Sequence, residues 1–323
     1  MNDHTMKAVL FDRFGGPEVL YVGRVPHPEA APGEVLVRVH AFSVNGADPA
    51  TRSGTYRLLT GRRFPQRVGL DFTGEVAALG TGAAGVAVGD RVWGIVGRAS
   101  GFGSAAEYVA VPADRVGRVP EGVDLIAAAA LPIATTAVTA LRDKAALRPG
   151  ERLLVRGAAG GVGSTAVQLG TAYGAEVTGL ARAANLDFVR ALGARHAVDH
   201  RSVAPADLGS YDVVLDTAGT GLRAFRRLLK PGGRMVTITP DPKRLLASLG
   251  YIAASTVHGR RRVRAFSGNP RREDFDTVAR LVSEGKLSPA VDTVFPLEET
   301  AAAHRALEAG GVRGKYVVRV VED

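Results

Sequence analysis

The stretch from Leu153 to Arg182 constrains the fold of this chain more than any other. It opens on the short apolar run Leu153-Leu154-Val155-Arg156 and continues into Gly157-Ala158-Ala159-Gly160-Gly161-Val162-Gly163. The alanine-containing segment Ser164 to Tyr173 follows, then a second apolar run, Glu176-Val177-Thr178-Gly179-Leu180. Strand, glycine turn, helix and strand in that order make a βαβ unit. Free N–H groups at the start of a helix, with the helix dipole behind them, attract an anion. A side chain at Gly160, Gly161 or Gly163 would hold a pyrophosphate away or push the helix off its strand. Gly157 and Val162 complete the turn. The spacing Gly-x-x-Gly-Gly-x-Gly departs from Gly-x-Gly-x-x-Gly, so its weight rests on the strand before it and the helix after it. A glycine-rich turn without a ligand is the plainer alternative.

The end of the second strand bears on which dinucleotide the turn would hold. A site for NAD places Asp or Glu about 20 residues past the turn, where it binds the ribose 2′-hydroxyl. This chain has Ala181 and Arg182 there instead. A guanidinium suits a 2′-phosphate, and no carboxylate stands there to repel it. These residues point to NADPH over NADH; the competing reading makes Arg182 an ordinary solvated arginine.

A chain of 323 residues is long enough for about two domains. No apolar run reaches the ~18 to 20 residues of a membrane span, and Ala127 to Leu131 stops at Pro132. The first residues lack a basic segment followed by an apolar core, so the expectation is a cytoplasmic protein with no membrane partner. The absence of cysteine excludes disulfides, thiolate zinc sites and cysteine nucleophiles. Of the seven histidines only His196 and His200 stand four residues apart, and no metal site is expected. The net charge of +9 includes the cluster Arg260-Arg261-Arg262-Val263-Arg264. With no nucleic-acid module beside it, the cluster reads as a solvated strand edge, and no nucleic-acid partner is expected.

Short strands punctuated by glycine fill the first third of the chain: residues 6 to 10, 34 to 40, 73 to 79, 91 to 96 and 106 to 111. Their even spacing suggests an antiparallel, barrel-like domain. From Ile126 onward, helices alternate with apolar strands, the pattern of a doubly wound parallel sheet. Pro231-Gly232-Gly233 is read as ending a helix at Phe225 to Lys230, and a last helix as running from Asp274 to Glu284. Val291 to Phe295 and Lys315 to Val321 return to the first strand type. The expected division is therefore residues 1–125 with 286–323, and an inserted parallel-sheet domain at 126–285.

Several segments, in order and spacing, resemble the medium-chain dehydrogenase/reductase superfamily in its zinc-free quinone oxidoreductase (ζ-crystallin-like) branch. They are Phe14 to Leu20, Asn45-Gly46-Ala47-Asp48, Arg52-Ser53-Gly54-Thr55-Tyr56, Gly69-Leu70-Asp71, Gly157 to Gly163, and Arg313-Gly314-Lys315. The resemblance implies an α/β protein: a GroES-like β-barrel catalytic domain carrying an inserted Rossmann doubly wound domain. Zinc-dependent relatives use cysteines and the histidine of a Gly-His-Glu; here that segment is Gly69-Leu70-Asp71, and leucine cannot bind a metal. What remains is hydride transfer to an already polarised acceptor, a quinone or an α,β-unsaturated carbonyl, which needs positioning and help for charge developing on oxygen.

The resemblance places Asn45, Asp48 and Tyr56 around the acceptor. Asn45 can donate an amide N–H toward nicotinamide or substrate. Tyr56 is either a proton donor or an aromatic wall, and Asp48 is either a pocket group or a turn residue before Pro49 that Arg52 pairs with. Around the cofactor the resemblance marks Thr136, Asp216 and Lys315, and places Arg182, Asn185 and His200 near the 2′-phosphate. His304 reads as a half-buried helix residue. A homodimer is the family expectation. The leading function is an NADPH-dependent quinone or enone reductase; the alternatives are an enoyl-thioester reductase and a non-catalytic NADPH-binding protein.

Overall fold

The computed structural model describes residues 5–321 apart from 56, 62, 97–102, 240–244, 258–261 and 267. The chain divides into two compact units, residues 1–132 with 269–323, and residues 133–268.

The first unit begins with β1 (Thr5–Phe11), β2 (Tyr21–Pro26), β3 (Glu34–Ser43) and β4 (Gln66–Arg67). It continues with β5 (Asp71–Leu79), β6 (Arg91–Ile95), β7 (Tyr108–Pro112) and β8 (Val116–Arg118). The second unit holds β9 (Arg152–Arg156), β10 (Glu176–Ala181), β11 (His196–Asp199), β12 (Tyr211–Asp216), β13 (Leu229–Thr237) and β14 (Val263–Ala265). The chain then returns to the first unit with β15 (Val291–Pro296) and β16 (Lys315–Arg319).

In the first unit β3 is the organising strand. One edge pairs with β5 along most of its length; the other pairs with β7 and then β16, all antiparallel. Covered on both edges, β3 alternates little and buries Val35, Leu36, Val37, Val39 and Phe42. β15 joins β16 in parallel, so this sheet is mixed; the helix Thr300–Ala309 between them makes that connection possible. Trp93 on β6 is fully buried and belongs to the core.

The second unit is a six-stranded parallel sheet in the order β11-β10-β9-β12-β13-β14. Counted within the unit this is 3-2-1-4-5-6, the doubly wound order, and the winding direction reverses between β9 and β12. β14 is an edge strand and carries Arg264 of the arginine cluster; Arg260 and Arg261 lie outside the described residues.

Two expectations need correction. The helix ends at Arg227, and Pro231-Gly232-Gly233 lies inside β13. The register with β12 shifts there, absorbing the extra residues as a bulge. The unit boundary also falls elsewhere: residues 126–132 and 269–285 belong to the first unit, not to the parallel-sheet unit. The helix Arg272–Ser283 buries Phe275, Val278 and Leu281, and Phe275 packs over Gly117 on β8. Arg272 at its start donates to the carbonyls of Gly85 (2.7 Å) and Ala113 (2.5 Å). Burying such side chains stabilises by about 1.5–3 kcal/mol each, which outweighs chain proximity to β14.

Candidate functional site

The glycine turn follows β9, and the helix Gly161–Ala172 starts inside it with Gly160 as its N-cap. The first N–H groups of that helix have no carbonyl ahead of them. Gly157 has φ +71°, and a Cβ there would stand 2.3 Å from Thr217 Oγ1. A Cβ on Gly163 would stand 2.0 Å from the Gly157 carbonyl oxygen. One on Gly160 would meet nothing closer than 3.6 Å, so Gly160 leaves open space over the helix N-terminus. Such a cradle fits a diphosphate.

β9 and β12 flank the point where the winding reverses, and their last residues, Arg156 and Asp216, pair in register. Arg156 Nη1 donates to Asp216 Oδ1 (2.5 Å) and to the Thr220 carbonyl (2.7 Å), and its guanidinium stacks 3.7 Å from the Phe225 ring centroid. Asp216 also accepts from Thr237 Oγ1 (3.0 Å), Ala218 N (3.2 Å) and Gly219 N (3.1 Å). Burial raises the Asp216 carboxyl, and the Arg156 charge opposes that rise. Thus Asp216, expected among cofactor residues, is a fully buried anchor for the loop after β12. Arg156 was not singled out in the sequence, where it reads as the polar end of an apolar run.

Arg182 follows β10 and His200 follows β11, and the two strand ends are adjacent because Ala181 pairs with Asp199. The Ala181 carbonyl accepts from both His200 N (3.1 Å) and His200 Nδ1 (2.7 Å). That carbonyl fixes the proton on Nδ1 and leaves Nε2 as the ring's other polar atom. Arg182 is half-buried and caps the short turn Ala183–Asn185; Asn185 is buried, and its N–H bonds the Arg182 carbonyl (2.9 Å). The three residues meet at one corner of the sheet. Thr136 is half-buried in the helix Ala134–Val138, beside Gly268.

In the first unit, β3 and β5 bring Ser43 opposite Asp71, one pleat beyond the Ala41–Thr73 pair. Both are fully buried. Asp71 accepts from Ser43 N (2.8 Å), Ser43 Oγ (2.6 Å) and Asn45 Nδ2 (2.9 Å). Asn45 Nδ2 also donates to the Ser43 carbonyl (3.1 Å). Both amide hydrogens of Asn45 are therefore engaged inside the protein in this arrangement. Lys315 enters from β16: its Nζ lies 2.6 Å from Asn45 Oδ1, 3.0 Å from the Val44 carbonyl and 3.9 Å from Asp71 Oδ2. Burial lowers the Lys315 ammonium, while Asp71 and Asp48 raise it. Lys315 is neither a surface lysine nor part of the parallel-sheet unit.

Asp48 is buried and closes the turn: Oδ2 accepts from Asn45 N (2.7 Å) and Oδ1 from Gly69 N (3.0 Å). Burial pushes its carboxyl up to about 7, against the pull of those two N–H groups. Arg52 does not pair with Asp48. Its guanidinium reaches Glu308 Oε1 (2.5 Å), His304 Nδ1 (3.1 Å) and the Gly15 carbonyl (3.1 Å). His304 is fully buried rather than half-buried, and burial beside Arg52 lowers its pKa to about 3. Tyr56 lies outside the described residues.

Comparison with known proteins agrees with this architecture. Residues 31–121 match the family model "alcohol dehydrogenase GroES-like domain" and residues 192–318 match "zinc-binding dehydrogenase". The chain is 32% identical over 326 residues to the chloroplast envelope quinone oxidoreductase homolog of Arabidopsis thaliana, covering 97% of this chain and 98% of that protein. It is 38% identical over 298 residues to part of a polyketide synthase of Streptomyces halstedii, covering 89% of this chain and 5% of that protein. The quinone oxidoreductase structure from Coxiella burnetii superposes with a TM-score of 0.89 at 33% identity, covering 98% of this chain and 100% of that one. The chain belongs to the medium-chain dehydrogenase/reductase superfamily, in its quinone oxidoreductase branch, with a GroES-like first unit and a Rossmann-type second unit. It is thus of an NAD(P)H-dependent oxidoreductase family. Zinc in one model's name does not extend to the donors here, since position 70 is leucine and the chain has no cysteine. Among the described residues, no helix is long and apolar enough to cross a membrane.

Proposed function

We propose that this protein is an NADPH-dependent reductase that delivers a hydride to a quinone or an α,β-unsaturated carbonyl. The observation that carries the cofactor choice is Arg182, which follows β10 where a carboxylate for a ribose 2′-hydroxyl would stand, with His200 on the neighbouring strand end. In this reading Gly157 to Gly163 take the diphosphate, and Arg182, Asn185 and His200 take the 2′-phosphate. Thr136 lies on the nicotinamide side. The chemistry such a cofactor supplies when bound is hydride donation.

The first unit's part is to receive the acceptor. Lys315, Asn45 and Asp71 lock the loop after β3, so that loop presents a fixed backbone. Asp48, poised near neutral pH, can hold or release a proton beneath it. Tyr56 is the proposed proton donor to the developing oxyanion. The chain has no thiolate, and among the described residues no cluster of His, Asp or Glu could hold a metal to polarise an alcohol, which favours acceptors that arrive already polarised. The likeness to a segment of a polyketide synthase supports enoyl-thioester reduction as a second reading.

The test is NADPH oxidation by the full chain with menadione, short and long enones, and enoyl-CoA, alongside thermal unfolding with and without NADPH. The reading expects a rise in Tm with NADPH and turnover of at least one acceptor class. A raised Tm without turnover would leave a non-catalytic NADPH-binding protein; no rise in Tm would sink both.

A further inference from the structure

Arg67 stands out among the charged side chains of the first unit. It sits on β4, half-buried. Among the described residues its guanidinium has no carboxylate, carbonyl or hydroxyl partner, and its basicity is lowered by burial with no anion to offset it. A guanidinium taken partly out of water without a partner is costly, and among the described residues none takes up its N–H donors.

Its surroundings are shaped around it. A Cβ built on Gly103 would stand 3.0 Å from Arg67 Cζ and Nε, so the guanidinium lies close against the Gly103 backbone. The next residue, Ser104, has a buried Oγ with no hydrogen-bond partner among the described residues. A Cβ on Gly69 would stand 2.5 Å from that oxygen, and Gly69 has φ +93°. Gly69, two residues beyond Arg67, is held through its N–H by Asp48. Three residues before Arg67, Phe64 packs edge-on to Phe14 (5.1 Å between centroids) and Phe11 (6.0 Å) and keeps an exposed face. Phe64 and Arg67 thus lie on the segment that ends at Gly69, which Asp48 holds and against which the Ser104 hydroxyl lies; among the described residues neither the Arg67 cation nor that hydroxyl has a partner.

We infer that Arg67 binds an oxyanion, a carboxylate or a phosphate, carried by the reducible substrate. The protein then selects acidic acceptors over neutral ones of the same shape. This rests on the reductase reading above. A guanidinium bonded to an oxyanion in a partly desolvated site is worth about tenfold to a hundredfold in affinity.

The experiment compares matched acceptors on the full-length protein with NADPH: β-acetylacrylate against its methyl ester, and crotonyl-CoA against crotonyl N-acetylcysteamine. The first pair tests a carboxylate and the second a phosphate. Wild type should show a KM at least about tenfold lower for the anionic member of one pair. Arg67→Met should erase that difference while leaving the neutral member's constants unchanged, and Arg67→Lys should restore part of it. No preference in wild type overturns the inference, as does an equal loss on both members of a pair, which would mark Arg67 as structural. Should all four acceptors fail, the reductase reading falls. Calorimetric titration of β-acetylacrylate and of CoA into wild type and Arg67→Met then decides the anion site alone: heat lost in the variant supports it, and no heat in wild type refutes it.

Discussion

Lys315 Nζ and Asn45 Oδ1 are 2.6 Å apart, although 270 residues separate them in the chain. The contact orients the amide: because the oxygen faces the ammonium, the NH2 group must face Ser43 and Asp71, and there it bonds both. One buried cation thereby sets the geometry of a loop on a different strand.

Lys315→Met should cost about 3 kcal/mol, because it leaves Asp71 and two carbonyl oxygens buried without their cation. Asp71→Asn alone should also destabilise. The double variant should cost at least about 1 kcal/mol less than the sum, since the two groups share one network. Urea unfolding of the four proteins measures this; strict additivity would show that the 3.9 Å approach of Lys315 to Asp71 carries no energy.

Asp48 and His304 give opposite stability slopes over the same pH range. The Asp48 carboxyl rises from 3.8 to about 7 on folding, so the folded state holds the extra proton and stability is lost as pH climbs through that interval. His304 falls from 6.5 to about 3, so the unfolded state holds the extra proton and stability is lost as pH drops through it. Between about pH 4 and 6.5 each contributes a slope near 1.4 kcal/mol per unit, and the two cancel. Asp48→Asn should therefore be more stable at pH 6 than at pH 4.5 relative to wild type, and His304→Asn the reverse. Unfolding free energies at the two pH values check the signs; identical profiles for both variants would contradict the assignment.

Gly160 and Gly163 should respond differently to alanine. Gly163→Ala drives a Cβ onto the Gly157 carbonyl at 2.0 Å, where backbone must shift, at about 1–3 kcal/mol. Gly160→Ala meets nothing closer than 3.6 Å in a backbone conformation open to any residue. It should unfold within about 1 kcal/mol of wild type while weakening NADPH binding through the crowded anion cradle. Chemical unfolding together with NADPH fluorescence titration separates the two; unchanged affinity in a folded Gly160→Ala protein would remove the diphosphate from this turn.

Arg182→Ala should raise the Kd for NADPH about tenfold or more, the value of one charge-assisted contact to phosphate, and leave that for NADH nearly unchanged. Fluorescence titration with both cofactors is sufficient. Equal weakening of both would take Arg182 away from the 2′-phosphate.

The parallel-sheet unit was largely legible from local pattern. Apolar runs of strand length, a glycine turn between strand and helix, and alternation with helices all act over a few residues, and each left its mark in order along the chain. β13 is the instructive exception: Pro231-Gly232-Gly233 has the local character of a break, yet pairing with β12 carries the strand through it as a bulge. Local preference is worth a fraction of a kcal/mol per residue, and a neighbouring strand overrides it.

The acceptor side divides along the same line. Leu70 and the missing cysteines remove the family's thiolate-and-histidine zinc donors by composition alone, and Arg182 sets the charge beside the second strand wherever its side chain points. Which groups stay available for chemistry is another matter. In the sequence Asn45 and Lys315 stand far apart; β3, β5 and β16 bring them together, with Lys315 donating to the Asn45 oxygen and the Asn45 N–H groups donating to Ser43 and Asp71. Arg52 reads as a partner for Asp48 until the last helix of the chain brings Glu308 and His304 to it. Hydrogen bonds and buried charges are settled by contacts between residues far apart in sequence, and their energies exist only once water has been excluded from between them.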